Sequence, residues 1–170
     1  MRSIGSPAVD SAPDTLGSVD DQTGDRDLRA DMLDALQLMA LPPDGQIAAL
    51  PAFVATADEI ALIFDEVFRA IDTRYADALF TEDQLTALRA IYRILNTMSQ
   101  APKESAATAH EAWVQSTWTH EALRTDPRWA DLRDRALSLL TMLDATPGQP
   151  RLSGITYVSE TEAWHGGSDP

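Results

Sequence analysis

The densest group of side chains suited to catalysis or cation binding is a run of carboxylates in one predicted helix. Asp58, Asp65 and Asp72 recur at heptad spacing, and Glu59 and Glu66 stand beside them. Neighbouring carboxylates are able to act as an acid and base pair or to coordinate a cation. Acids at helical spacing are also typical of a solvated helix face, and we favour that interpretation over catalysis.

A metal site among these acids is not expected. Helical di-iron proteins combine glutamates with Glu-x-x-His pairs, and the chain contains no such pair. Glu111 and Glu121 follow His110 and His120 instead of preceding a histidine by three residues. The two histidines are 10 positions apart in the sequence, so they would not share a face even on one unbroken helix.

Motifs for nucleophilic catalysis and phosphate binding are missing from the sequence as well. No Gly-x-Ser-x-Gly turn would expose a serine nucleophile, and no glycine-rich loop precedes a helix. The chain has no cysteine, which excludes thiol catalysis, disulfides and cysteine zinc sites. We therefore predict a protein that is not an enzyme and that needs no metal or cofactor. A carboxylate-based enzyme or ligand-binding domain stays open as an alternative.

Protein recognition is the interpretation that the remaining residues favour. Leu62 lies among the acids, and Trp113, Trp118 and Trp129 crowd into a short segment. Apolar anchors ringed by charge supply much of the energy of protein interfaces. Trp129 falls on an apolar helix face and is assigned to the core, whereas Leu62, Trp113 and Trp118 stay open between interior packing and an interface. The predicted interface residues are Asp58, Glu59, Leu62, Asp65, Glu66, Trp113 and Trp118.

The helix that carries these acids is predicted within Phe53–Ile71. Thr56, followed three residues later by Glu59, is a capping-box pattern that places the helix start near Ala57. Apolar residues within this stretch recur with helical periodicity and define a face that would pack on a core. The residues of this apolar arc are Ile60, Phe64, Val67 and Ile71.

Three further amphipathic helices accompany this one. The first is predicted to start at Asp27 and to end before Pro42, because proline disfavours helix in the residue before it. The second starts at Thr81, which has a glutamine three residues later, and the third starts at Asp126, which is followed by proline. His110–Leu123 is predicted as one broken helix or two short turns.

These elements predict an all-α fold, an irregular helical bundle of four main helices with additional short helical turns. The helical domain is expected to span residues 27–146. Residues 1–26 are polar and rich in serine, glycine and proline, and they are predicted to form a disordered leader. Residues 147–170 are predicted to form a flexible tail, in which ITYV is a candidate short strand.

The charge balance limits the classes of partner. The formal charge is −14, from 27 acidic and 13 basic residues. Such a charge opposes binding to nucleic-acid phosphates and to anionic membranes, and it favours either a basic protein partner or solubility alone. The longest uncharged segment, Gly45–Ala57, is too short to span a bilayer. Since Arg2 is followed by a polar run and not by an apolar signal sequence, we expect a cytoplasmic protein.

Two runs, PAFVATADEIALIFDE (51–66) and WTHEALRTDPRWADLRDRA (118–136), carry a resemblance to a known class. They resemble small, acidic, all-helical bacterial proteins of unassigned activity, some of which are similar to the immunity partners of secreted toxins. The resemblance covers roughly Leu28 to Leu143 and brings no catalytic residue with it. It implies a stoichiometric binder, and in the immunity case an acidic helix would occupy the phosphate-binding cleft of a basic nuclease.

A homo-oligomeric structural protein is the alternative from a different functional class. In that case Leu62 and the tryptophan segment would bury each other across a two-fold axis. The sequence does not choose between a heterologous partner and a second copy of the chain, because both would use the same exposed apolar residues.

Overall fold

The computed structural model describes residues 20–100 and 107–152, and every regular element in these ranges is an α-helix. The all-α prediction is therefore confirmed. Within the described ranges, no helix combines the length and the apolar character that a membrane span requires. In chain order the helices are α1 (Asp20–Ala40), α2 (Pro43–Ala49), α3 (Thr56–Arg74), α4 (Ala76–Leu79), α5 (Glu82–Met98), α6 (Ala107–Thr117), α7 (His120–Thr125) and α8 (Pro127–Met142).

The hydrophobic core lies between the four longest helices, because α3 and α8 each pack against both α1 and α5. The predicted apolar arc of α3 faces this core, with Phe64 and Ile71 fully buried and Ile60 almost so. Phe68 extends the same face and stacks on Tyr92 of α5, with 4.7 Å between the ring centroids. Burying one face of α3 in this way leaves its acidic face directed away from the core.

Trp129 fixes the start of α8 in the core, as the sequence predicts. Its side chain is fully buried, and its indole Nε1–H donates a hydrogen bond to the carbonyl oxygen of Thr117 at 2.9 Å. A buried indole N–H without an acceptor would be costly, so this bond both satisfies the tryptophan and ties α8 to the end of α6.

Local capping sets the starts of α5 and α8 as predicted. The backbone N–H of Gln84 donates to the Thr81 hydroxyl at 3.3 Å, and the Gln84 side-chain oxygen accepts from the Thr81 N–H at 2.9 Å. The Asp126 carboxylate accepts from the backbone N–H of Arg128 at 2.8 Å, and Pro127 occupies the first helical position of α8. Both pairings satisfy N–H groups that a helix start leaves without partners.

Thr56 does not cap α3, so the capping box predicted there is wrong. The helix begins at Thr56 itself, and Ala55 at the N-cap position makes no side-chain hydrogen bond. The Thr56 side chain is buried, and its hydroxyl lies 3.0 Å from Nε2 of His120 in α7. The hydroxyl thus bonds a tertiary partner instead of the backbone of its own helix.

Helix α1 begins before residue 27, and one backbone contact lies beyond residue 146, outside the predicted limits of the helical domain. α1 begins at Asp20, before the predicted start at Asp27, because the stretch DDQTGDR contains no apolar residue that could reveal an amphipathic pattern. Within the predicted tail, the backbone N–H of Arg151 donates to the Asp34 carboxylate of α1 at 3.1 Å. The remainder of the predicted leader and tail, including ITYV, lies outside the described residues.

The segment predicted as one broken helix or two short turns forms two helices, α6 and α7, which Trp118 and Thr119 separate. The Thr119 hydroxyl accepts from the backbone N–H of Ala122 at 3.1 Å and thereby caps α7. The start of α7 contacts the start of α3 through His120 and Thr56.

Candidate protein-binding surface

Leu62 lies on the solvent side of α3, in the middle of its acidic face. It is 53% exposed, so the open choice between packing and exposure is decided in favour of exposure. Asp58 stands four residues before Leu62, Asp65 stands three residues after it, and Glu66 stands four residues after it. These are the positions that adjoin a residue on a helix surface. We call these four residues, Asp58, Leu62, Asp65 and Glu66, the α3 surface.

The acids of the α3 surface differ in their internal partners. Asp65 accepts a hydrogen bond from Nε of Arg69 at 3.0 Å, one helical turn away, and the arginine side chain is 67% exposed. Exposed pairs of this kind contribute about 0.3–0.5 kcal/mol, so Arg69 is free to exchange Asp65 for another partner. Asp58 and Glu66 are exposed and form no ion pair with any residue that the structure describes.

Two other acids of α3 are held more closely by the protein. Asp72 accepts from Nη2 of Arg89 on α5 at 2.8 Å and from its Nε at 3.2 Å. Glu59 is half-buried and already takes part in an interaction within the chain. Glu59, which the sequence assigned to the interface, stands three residues before Leu62 and adjoins the α3 surface.

A shallow groove of about 230 Å³ runs beside Leu62, between α3 and α5. It lies where the first half of α3 passes the end of α5, because the two helices are antiparallel neighbours. The groove lining combines two carboxylates, one guanidinium, small polar groups and apolar side chains. The residues that line it are Asp58, Ala61, Leu62, Asp65, Arg69, Leu95, Asn96 and Ser99.

Asn96 and Ser99 are residues of this site that sequence reasoning missed. Both belong to the end of α5, and nothing in their own sequence neighbourhood marks them as functional. Only the packing of α5 against α3 brings them opposite Asp58 and Leu62, so the signal is tertiary and not local. They add an amide and a hydroxyl to a surface that the sequence described as acidic and apolar.

The structure does not place Trp113 and Trp118 in this groove. Their rings form a row with Trp129, with centroid distances of 6.2 Å from Trp113 to Trp118 and 6.0 Å from Trp118 to Trp129. Nε1 of Trp113 donates to the carbonyl oxygen of Met98 at 3.2 Å. Both side chains are half-buried, and these contacts give them a clear role in holding α6 against α5 and α8.

Asp126 is a closely paired carboxylate that lies away from the α3 surface, at the start of α8. Burial raises the pKa of Asp126, but hydrogen bonds from the Arg128 side chain and backbone outweigh that effect and leave the pKa below its ordinary value. Because Arg128 also donates to the Thr117 hydroxyl at 3.2 Å, the pair fixes the junction between α6 and α8. We therefore assign the Asp126–Arg128 pair a structural role at this junction.

The chemistry of the α3 surface suits binding. Among residues 20–100 and 107–152, no cluster of three or more histidine or acidic side chains is placed to hold a metal ion. Leu62 offers an apolar contact, the neighbouring carboxylates offer negative charge, and the groove offers a recess beside them.

No protein-family model matches the chain, and no curated protein or solved structure gives a significant match.

Proposed function

We propose that this protein is a non-catalytic binding module that holds a basic partner protein through the α3 surface. The observation that carries the proposal is the 53% exposure of Leu62 in the middle of an acidic helix face. Fully covering an exposed leucine side chain contributes about 1.5–3 kcal/mol, and because Leu62 is about half exposed, roughly half of that contribution is available to an external partner. A central apolar contact inside a charged rim is the usual anatomy of a protein interface.

Charge supports a basic partner. Asp58 and Glu66 flank Leu62 without an ion pair to any described residue, and the whole chain carries a formal charge of −14. Complementary charge speeds association and makes it sensitive to salt. The same negative charge argues against nucleic acid or an anionic membrane as the partner.

An immunity protein that neutralises a secreted nuclease toxin is the specific case that we favour. A nuclease needs basic residues to hold phosphate, and carboxylates spaced along one helix present a similar negative charge to the same cleft. The resemblance to small acidic helical bacterial proteins supports this case. Since the chain has no cysteine, it suits a reducing compartment, and we place its action in the cytoplasm.

The test uses matched leucine variants as baits. Wild type, Leu62→Ser and Leu137→Ser are immobilised, proteins are captured from cells that carry the gene, and the captured protein is purified for calorimetry. Leu137 is a suitable control because it is 36% exposed and lies on α8. We expect a basic partner that binds wild type and Leu137→Ser alike. An acidic partner, or one that binds all three baits equally, would overturn the proposal.

A homo-oligomeric structural protein is the second candidate, and two exposed residues on α8 favour it. Met142 is 43% exposed and Leu137 is 36% exposed, so apolar side chains outside α3 are also available for contact with a second copy. The charge of the chain opposes self-association. Light scattering separates the candidates, because a binding module gives a monomer, whereas a structural protein gives an oligomer that Leu62→Ser or Met142→Ser dissociates.

A further inference from the structure

The groove beside Leu62 has the dimensions of a site for one side chain. Its volume of about 230 Å³ is below the roughly 300–1,000 Å³ of pockets that enclose small-molecule ligands. Ala61 and Leu95 line it and are 7% and 4% exposed, respectively, while Leu62 stands beside them. An extended aliphatic chain would therefore find apolar contacts along the groove, and a polar end group would reach its rim.

The polar groups at the rim favour a cation as that end group. Asp58 lies on α3, and its carboxylate forms no ion pair with any described residue. Asn96 lines the same groove from α5 and carries a side-chain carbonyl oxygen. The Ser99 hydroxyl donates to the carbonyl oxygen of Leu95 at 2.9 Å, so its lone pairs stay available as acceptors.

The end of α5 adds a second and independent preference for positive charge. A helix C-terminus carries the negative end of the helix dipole, and basic residues in the last turn usually complement it. α5 ends at Met98 and has no basic residue in its last turn. Arg69 lines the groove as well, and it forms an exposed and exchangeable pair with Asp65 on α3. Among the residues that the structure describes, the last turn of α5 therefore contributes no basic side chain of its own to this end of the groove.

We propose that the groove between α3 and α5 receives one arginine side chain of the basic partner. Its aliphatic stem lies along Leu62 and Leu95, and its guanidinium bonds the Asp58 carboxylate and the Asn96 side-chain oxygen. Arginine fits better than lysine because its planar guanidinium bonds several acceptors at once, whereas an ammonium is a compact and strongly hydrated charge. This inference rests on the proposed function and specifies how the partner is recognised.

The direct test is an NMR titration of the full chain with N-acetyl-arginine N-methylamide as the probe. The citrulline analogue is the matched control, because it has the same shape without the charge. We expect saturable amide shifts at Leu62, Asn96 and Ser99 with the arginine probe, and at least about tenfold weaker binding of citrulline, since hydrogen bonds to charged groups contribute about 1.5–3 kcal/mol. Equal binding of both probes, or no saturable shift with arginine, would overturn the inference.

Two acid variants separate a specific site from net charge. Asp58→Asn removes a carboxylate that lines the groove, whereas Glu66→Gln removes the same charge from an exposed position of α3 that does not line it. We expect Asp58→Asn to weaken the arginine probe about tenfold or more and Glu66→Gln to leave its affinity nearly unchanged. Equal weakening by both variants would reduce the effect to general electrostatics and refute the site.

The thermal stability of two lysine variants, one in the groove and one beside it, provides a test that needs no partner. Asn96→Lys places a cation in the groove, and Thr97→Lys places one on the neighbouring exposed position of the same turn. Both lysines would complement the end of α5, but only that of Asn96→Lys would lie in the groove with Asp58. We therefore expect Asn96→Lys to raise the Tm about 1–4 °C above that of Thr97→Lys and to abolish binding of the arginine probe. No difference in Tm, with arginine binding retained, would contradict the inference.

The inference and the proposed function fail separately. A purified basic partner that depends on Leu62 but binds Asp58→Asn as tightly as wild type would keep the proposed function and refute the arginine site. Saturable binding of the arginine probe, together with a partner that binds Leu62→Ser normally, would keep the arginine site and refute the proposed function.

Discussion

The Thr56 hydroxyl lies 3.0 Å from Nε2 of His120, which joins the first residue of α3 to the first residue of α7. Thr56 is 3% exposed, whereas His120 reaches solvent. A buried hydroxyl needs a hydrogen-bond partner, and the imidazole supplies it across 64 residues of sequence. The bond holds the short helix α7 against the start of α3, just before the acidic face.

The Thr56–His120 bond predicts a measurable coupling between the two side chains. Thr56→Val keeps the shape of the side chain and removes the hydroxyl, and we expect it to lower the free energy of unfolding by about 0.5–1.5 kcal/mol. His120→Ala should cost a similar amount, and the double variant should cost less than the sum. Urea denaturation of the four proteins measures this cycle, and strictly additive losses would show that the bond contributes nothing.

Capping shows how far local sequence determines this fold. Thr81 and Thr56 stand in similar capping-box patterns, and the first forms both bonds with Gln84 because its partners lie within one helical turn. Thr56 has a competing partner in His120, which folding alone brings close. Amphipathic periodicity and local caps therefore predict the helices, but they do not predict which polar group a distant residue engages.

In the candidate site, too, local sequence patterns predict some features, and tertiary packing determines the others. The spacing of Asp58, Leu62 and Glu66 predicts one shared helix face, and the structure places them on one face. The exposure of Leu62 was not decided by sequence, because an off-arc leucine packs or stays exposed depending on its neighbours. Asn96 and Ser99 were missed for a related reason, since their place beside α3 depends on how α5 packs.

Burial distinguishes the tryptophan of the core from the exposed leucine of the surface. Trp129 is fully buried, whereas Leu62 is 53% exposed. We expect Trp129→Ala to lower the free energy of unfolding by about 3–5 kcal/mol and Leu62→Ser to lower it by only about 1 kcal/mol, because the leucine is about half exposed. Chemical denaturation followed by far-UV circular dichroism makes the comparison. Comparable losses in the two variants would mean that Leu62 is part of the folded interior.

The pairing of Asp126 with Arg128 predicts a loss of stability in acid. Because the pKa of Asp126 is lower in the folded protein than its ordinary value near 3.8, the unfolded chain binds the proton more readily. The contribution of this carboxylate is therefore present above about pH 4 and disappears as the pH falls through the lowered pKa.

Asp126→Asn measures that contribution, since asparagine is also a good N-cap and lacks the charge. We expect the variant to be less stable than wild type at pH 7 and to approach wild-type stability as the pH falls from about 4 through the lowered pKa. The difference at pH 7 should shrink in an Arg128→Met background. A difference that is the same at pH 3 and pH 7 would assign the effect to capping and not to charge.

The affinity of the purified partner for wild type and for Leu62→Ser, measured by calorimetry at several salt concentrations, tests the role of the α3 surface most directly. Leu137→Ser is the control for the loss of an exposed leucine. The account predicts that Leu62→Ser raises the Kd about tenfold or more, which corresponds to about 1.4 kcal/mol, while its Tm stays near that of wild type and the affinity of the wild type falls as salt increases. An unchanged Kd for Leu62→Ser, or a wild-type affinity that does not respond to salt, would contradict it.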